Sequence, residues 1–303
     1  MPRFECFDKS DACAAPAAWD ATAVACRGSS RAVWDRTRAH NRLRSHLREY
    51  YPAVLEAFAD KREKLLAREA RAILAIAPTQ AKAAKLARSK LKAAVKQAGR
   101  QRRIEAETDR LLEVFRRTWL RQPALVETAM GHQTLALLGQ LEAACKACDE
   151  LASATEELFL QHPDAEIITS FPGLAALTGA RLLAEIGDDR TRFDTARDLK
   201  AYAGSAPVTR ESGKSRRVSH RRIKNSRLAS TGRHWAFAAL TASTGAHDHY
   251  NRRRENGDRY YAALRNLFNR MLGQLHHCLT THQRFDEAIA FAPPKPSPLA
   301  AAA

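Results

Sequence analysis

The chain has 303 residues, enough for two folded units of ordinary size. Lys and Arg number 50 against 33 acidic residues, and the formal charge of +17 repels cationic partners and points to a polyanion, nucleic acid first. No apolar run approaches the roughly 20 residues of a membrane-spanning helix and no signal-peptide core opens the chain, so a cytoplasmic protein with no membrane partner is expected.

Residues 1–30 hold Arg3, Lys9 and Arg27 against Glu5, Asp8, Asp11 and Asp20, and show neither helical nor strand periodicity. They read as a weakly ordered segment. From Arg31 to Phe58 apolar residues recur at three- and four-residue steps, which predicts a helix broken near Pro52 with an arginine-rich outer face. Ala-, Lys- and Arg-rich helices follow, punctuated at Pro78 and Gly99. Leu138, Leu141, Cys145, Cys148, Leu151 and Leu158 then form a three-four seam, expected either to lie buried in one subunit or to join two copies as a coiled-coil-like arm. Trp34, Trp119 and Trp235 sit at apolar helical spacing and read as core.

The fold class is therefore mainly α: a helical region over 31–162, a small helical domain over 163–290 and a disordered Pro- and Ala-rich tail over 291–303. In the second region helices are expected over 174–186, 197–203, 224–244 and 258–284, with residues 204–213 as a loop. No metal site is expected. Cys145-x-x-Cys148 lacks a second ligand pair, and the other cysteines are dispersed, so reduced thiols are expected. His247-Asp248-His249 and His276-His277 read as solvated surface.

Six blocks occur in register after Ile168: Phe171-Pro172-Gly173-Leu174, Leu183-Ala184-Glu185-Ile186-Gly187-Asp188, Arg192-Phe193, Ala201-Tyr202-Ala203-Gly204, Ala206-Pro207-Val208-Thr209-Arg210-Glu211-Ser212-Gly213-Lys214 and Tyr260-Tyr261-Ala262-Ala263-Leu264-Arg265. Together they closely resemble the C-terminal domain of the insertion-sequence transposases of the 110/116/902 family, and the helical text before them resembles the segment that precedes that domain. The resemblance implies a DNA-binding transposase or recombinase that works as an oligomer, with a structured guide RNA as a further partner. Intact members begin with a ribonuclease-H-like domain whose carboxylates hold magnesium. Residues 1–30 hold only Phe4-Glu5-Cys6-Phe7-Asp8 as strand-then-Asp text, with no partner strands to cluster further carboxylates around Asp8, so this chain is expected to lack that domain and to bind no cofactor itself. A catalytically incomplete transposase is one expectation; a non-enzymatic nucleic-acid-binding relic that pairs with intact copies is the other.

The resemblance also implies a serine nucleophile at Ser212, with Ser205 and Ser215 as alternatives; spacing alone reads Ser212-Gly213 as a turn. A serine hydroxyl needs a base or metal, and cations for the developing phosphate charge. The expected DNA contacts are Arg210, Gly213, Lys214, Arg216, Arg217, Arg221, Arg222 and Lys224. Pro172 and Gly173 join them because Phe171-Pro172-Gly173-Leu174 resembles a helix-hairpin-helix turn that offers backbone amides to a phosphate; a tight packing turn is the other reading.

Overall fold

The computed structural model describes residues 10–292; Asp8 and the end of the predicted tail lie outside the described residues. In chain order the helices are α1 Ser10–Tyr50, α2 Pro52–Ala57, α3 Arg68–Ile76, α4 Gln80–Ala84, α5 Arg88–Gln97, α6 Ile104–Arg116, α7 Ala124–Leu160, α8 Ala165–Thr169, α9 Ala176–Ile186 and α10 Ala196–Tyr202. Strands β1 Val208–Ser212 and β2 Ser215–Ser219 follow, then α11 Ser226–Ala242, α12 Thr244–Glu255, α13 Tyr260–Thr281 and α14 Glu287–Ala290. The chain is mainly α, and among the described residues its one sheet is the β1–β2 pair. No helix among them is long and apolar enough to cross a membrane.

Residues 29–151 form one compact unit. α1 stops at Tyr50 and Pro52 opens α2, because proline lacks the amide that a continuing helix would need yet fits a first turn. The tyrosine pair at this break is buried, and the Tyr50 hydroxyl bonds to the Pro78 carbonyl and to Thr134. Leu138, Leu141 and Cys145 belong to the same core as Leu43, Leu47, Leu111 and Phe115, and Cys148 is also buried. The seam is thus covered by its own chain as far as Cys148, while Leu151 remains exposed; covering Leu138 to Cys148 does not require a second copy. Trp34 departs from expectation: it is 74% exposed, on the side of α1 turned away from that core. Trp119 is half-buried and donates from Nε1 to the Val114 carbonyl at 3.0 Å.

Among the described residues the second unit comprises 10–28 and 152–292. Its core is an aromatic chain, Phe171 against Trp235 at 5.6 Å and Trp235 against Phe268 at 6.1 Å, enclosed by the apolar faces of α9, α11 and α13. The stripe Leu264, Leu267, Phe268, Met271, Leu272, Leu275 and Leu279 on α13 is buried as its spacing predicts. Two expectations fail here. Residues 10–30 are helical, Ala23 is buried, Cys26 enters this core, and Trp19 Nε1 donates to the Leu183 carbonyl at 3.4 Å. Long-range packing holds what local periodicity does not specify. The predicted helix 224–244 ends at Ala242, where Ser243 accepts from the Ala246 amide at 3.0 Å and starts α12, a helix that the sequence reading missed.

Candidate nucleic-acid interface

The predicted loop 204–213 contains a strand, and residues 208–219 form an antiparallel hairpin. Its register pairs Val208 with Ser219, Thr209 with Val218, Arg210 with Arg217, Glu211 with Arg216 and Ser212 with Ser215. Gly213 and Lys214 make the two-residue turn, and Gly213 has a φ of +54°, the left-handed value such turns favour and glycine adopts without strain. Because strand side chains alternate, Ser212, Ser215, Arg210 and Arg217 share one face. Ser212, Arg210, Lys214 and Arg217 are exposed, and none of their four side chains has a hydrogen-bond or ion-pair partner among the described residues. Directly opposed like charges destabilise a strand pair by a few tenths of a kcal/mol or more. The opposed arginines therefore suit an anion laid across that face.

Both feet of the hairpin are pinned, in part by residues of the six blocks. On the far side of β2, Asn225 caps α11 by accepting from the Leu228 amide at 2.9 Å, and its Nδ2 donates to Glu185 at 2.6 Å and to the Tyr202 hydroxyl at 2.7 Å. Arg192 lies over the Phe193 and Tyr202 rings at 5.1 and 5.0 Å and donates to the Ile186 carbonyl at 2.9 Å, closing the end of α9. On the near side Gly204 has a φ of +69°, and the stem of Lys224 lies where a side chain at this position would stand. Ser205 is buried, its hydroxyl donating to the Lys200 carbonyl at 3.2 Å and to Asn269 at 3.0 Å. Of the three candidate serines, Ser212 and Ser215 are open at the hairpin tip, and Ser205 is engaged below it.

The remaining predicted residues fall elsewhere. Arg221, Arg222 and Lys224 lie between β2 and α11, with Arg221 Nε buried and unpartnered. Gly173 has a φ of +78°, and its open side faces the Ala238 and Ala239 backbone of α11; Pro172 accepts from Trp235 Nε1 at 3.0 Å. That contact lies 13 residues along α11 from Asn225, or roughly 20 Å at a helical rise, so Pro172 and Gly173 are apart from the basic hairpin. His276 is not simply solvated: its Nε2 donates to the Phe193 carbonyl at 3.1 Å.

One potential ligand group does occur, His162 with Asp164 and Asp188. It does not fit the magnesium that the resemblance implies. Arg190 pairs directly with Asp164 and lies 3.8 Å from Asp188, so a divalent ion would have to displace a guanidinium. His162 Nδ1 accepts the Asp164 amide at 3.1 Å, which in the neutral ring leaves the proton on Nε2, 3.2 Å from Asp188. Burial holds this imidazole below its ordinary pKa against the pull of Asp188. The group reads as a polar tie between the segments that follow α7 and α9.

The sequence profile of the Transposase IS116/IS110/IS902 family matches residues 165–261, which take in the hairpin, both of its anchors and the start of α13. A Streptomyces coelicolor protein described as the mini-circle transposase for IS117 is 56% identical over 273 residues, covering 90% of this chain and 66% of that protein. The chain belongs to the IS116/IS110/IS902 transposase family. The 43.6 kDa protein of insertion element IS110, also from Streptomyces coelicolor, is 28% identical over 79% of the chain and 58% of its own length. A 42 kDa protein of IS900 from Mycobacterium paratuberculosis is 34% identical over 45% of the chain and 35% of its length. The chain thus spans less than two thirds of the length of these family members.

Proposed function

We propose that this chain supplies the nucleic-acid grip of an insertion-sequence transposase, with the 208–219 hairpin laid along a DNA backbone. Arg210, Lys214, Arg216, Arg217, Arg221, Arg222 and Lys224 neutralise phosphates, and Ser212 stands at the tip as the nucleophile. The carrying observation is the hairpin face on which exposed, unpartnered Arg210 and Arg217 oppose each other beside Ser212. Strand transfer would form an Oγ–P bond and expel a sugar oxygen, with the hydroxyl proton passing to a base. Ser212 has no such base among the described residues, and Asp164 is already paired with Arg190. The chain by itself therefore binds and presents the nucleophile without activating it.

That lack favours a second reading, a non-enzymatic binder of DNA or structured RNA that acts with intact copies. Incubating the protein with supercoiled element-junction DNA, guide RNA and magnesium separates the two. A covalent protein–DNA adduct abolished by Ser212→Ala supports the enzyme; salt-sensitive binding with no adduct supports the binder. Binding that does not weaken between low and moderate salt would overturn both, since phosphate neutralisation makes affinity fall steeply with salt.

A further inference from the structure

We infer that a pocket at the foot of the hairpin is a phosphate subsite, formed by Lys224, Arg233 and Arg265, which fixes the register of the bound strand relative to Ser212. The inference rests on the grip proposed above and adds Arg233, Arg265 and Tyr261 to it.

The cavity has a volume of about 250 Å³ and takes its walls from four stretches, the first being residues 203–205 after α10. Lys224 comes from the segment after β2, Arg233 from α11, and Tyr261 and Arg265 from α13. No acidic residue lines it. None of the three cations has a hydrogen-bond or ion-pair partner among the described residues, although other arginines of this unit are matched: Arg227 by Glu185 at 2.7 Å, Arg253 by Asp258 at 2.6 Å, and Arg270 by the Ala290 carbonyl at 2.7 Å. Three like charges gathered around one hollow repel one another, and an anion from outside the chain relieves that repulsion. Guanidinium forks suit the tetrahedral oxygens of a phosphate, and an ammonium adds a point charge.

The local backbone is shaped for this gathering. Gly204 leaves room for the Lys224 stem to cross it, since a Cβ there would lie 2.2 Å from Lys224 Cδ. Buried Ser205, held by Lys200 and Asn269, steadies the floor. Tyr261 stands 67% exposed at the rim, where its ring can meet a sugar or base. β1 starts three residues after Ser205 and carries Ser212 at its far end, so tip and pocket are separated by on the order of 15–20 Å at an extended rise. Along one strand of a duplex that spans roughly five nucleotides. A phosphate seated here would set which phosphodiester reaches Ser212.

The test titrates inorganic phosphate into the purified full chain in phosphate-free buffer, read by phosphorus NMR or calorimetry, beside DNA binding measured over a salt series. Variants are Arg265→Gln, Arg265→Lys and Lys90→Ala, an exposed cation of α5, each checked for unchanged thermal unfolding. Arg265→Gln is expected to weaken inorganic phosphate roughly tenfold, with partial recovery in Arg265→Lys and no change in Lys90→Ala. Arg265→Gln should also lower the salt slope of DNA binding by about one phosphate. Equal phosphate affinity in wild type and Arg265→Gln overturns the pocket. Loss of phosphate binding with an unchanged DNA slope overturns its role toward the strand, because the pocket then holds a free anion. If wild type binds phosphate through Arg265 but binds no DNA, the pocket stands and the proposed grip fails.

Discussion

Replacing Gly173 with alanine tests whether the turn between α8 and α9 is a packing device. The substitution carries two costs. At a φ of +78° an L-residue pays about 1.5 kcal/mol for the left-handed conformation. The new Cβ would also lie 2.6 Å from the Ala239 amide nitrogen and 2.8 Å from the Ala238 carbonyl carbon. Those are backbone atoms near the C-terminal end of α11 and cannot swing away, so overpacking adds about 2 kcal/mol. Gly257 provides the control: its φ is +86° but nothing lies within 4 Å of a Cβ there, so alanine pays the conformational cost alone. For a unit of this size each kcal/mol lowers Tm by roughly 2–4 °C. Gly257→Ala is expected to lower it by about 4 °C and Gly173→Ala by about 10 °C, measured by circular dichroism or calorimetry. Equal shifts would refute the packing account. A Gly173→Ala variant of unchanged Tm that loses DNA affinity would instead show an open, phosphate-binding turn.

The chain alone, given junction DNA, guide RNA and magnesium, is expected to form no nick and no covalent adduct within hours, as read on denaturing gels, because cationic side chains bind ground and transition states alike and accelerate little; an adduct lost in Ser212→Ala would refute this. Arg217→Thr should stabilise the hairpin by a few tenths of a kcal/mol by removing the opposed charge, while lowering DNA affinity several-fold at low salt. Amide exchange and binding isotherms report the two effects, and a variant that binds DNA as well as wild type would contradict the assignment of this face. Acid should weaken the C-terminal unit through His249, whose pKa is pushed down to about 4 by burial and then by Arg270, Arg252 and Arg253. Between the ordinary histidine value and about 4 the unfolded chain binds a proton that the folded one refuses, so stability falls as pH falls through that window. The full shift corresponds to about 3 kcal/mol, and partial solvent access reduces it to roughly 1–2 kcal/mol. His249→Phe, which keeps the ring beside Phe291, should flatten the dependence of Tm on pH between 6.5 and 4; an unchanged slope would exclude this group.

Much of the helical frame was legible because burial has a period. The α13 stripe, the break at Pro52 and the end of α5 before Gly99 each follow from residues whose geometry leaves little choice. The hairpin was hidden for the opposite reason: Val208-Thr209-Arg210-Glu211-Ser212 has no apolar face, so the alternation that marks a half-buried strand is missing. Residues 19–28 and Trp34 misled in complementary ways. The first segment lacks a clean period yet is packed by distant residues; the tryptophan keeps the period but faces outward. Cations in the candidate site could be counted from sequence, but their sharing of faces and pockets could not. Arg265 and Tyr261 stand in a recognised block and contribute to the site only through the crossing of α11 and α13.

The hairpin is held at its two feet and has almost nothing apolar beneath it, and a lone two-stranded ribbon has little stability of its own in water. Its final shape is therefore partly the ligand's to impose. A positively charged clasp that firms up around whatever backbone it meets pays ordering entropy at each engagement, and so binds less tightly per contact than a rigid groove. In return it can accept straight, bent or unwound strands with the same side chains. On the proposed DNA grip such a clasp would be indifferent to base sequence, and the choice of where to act would pass to whatever else pairs with the DNA.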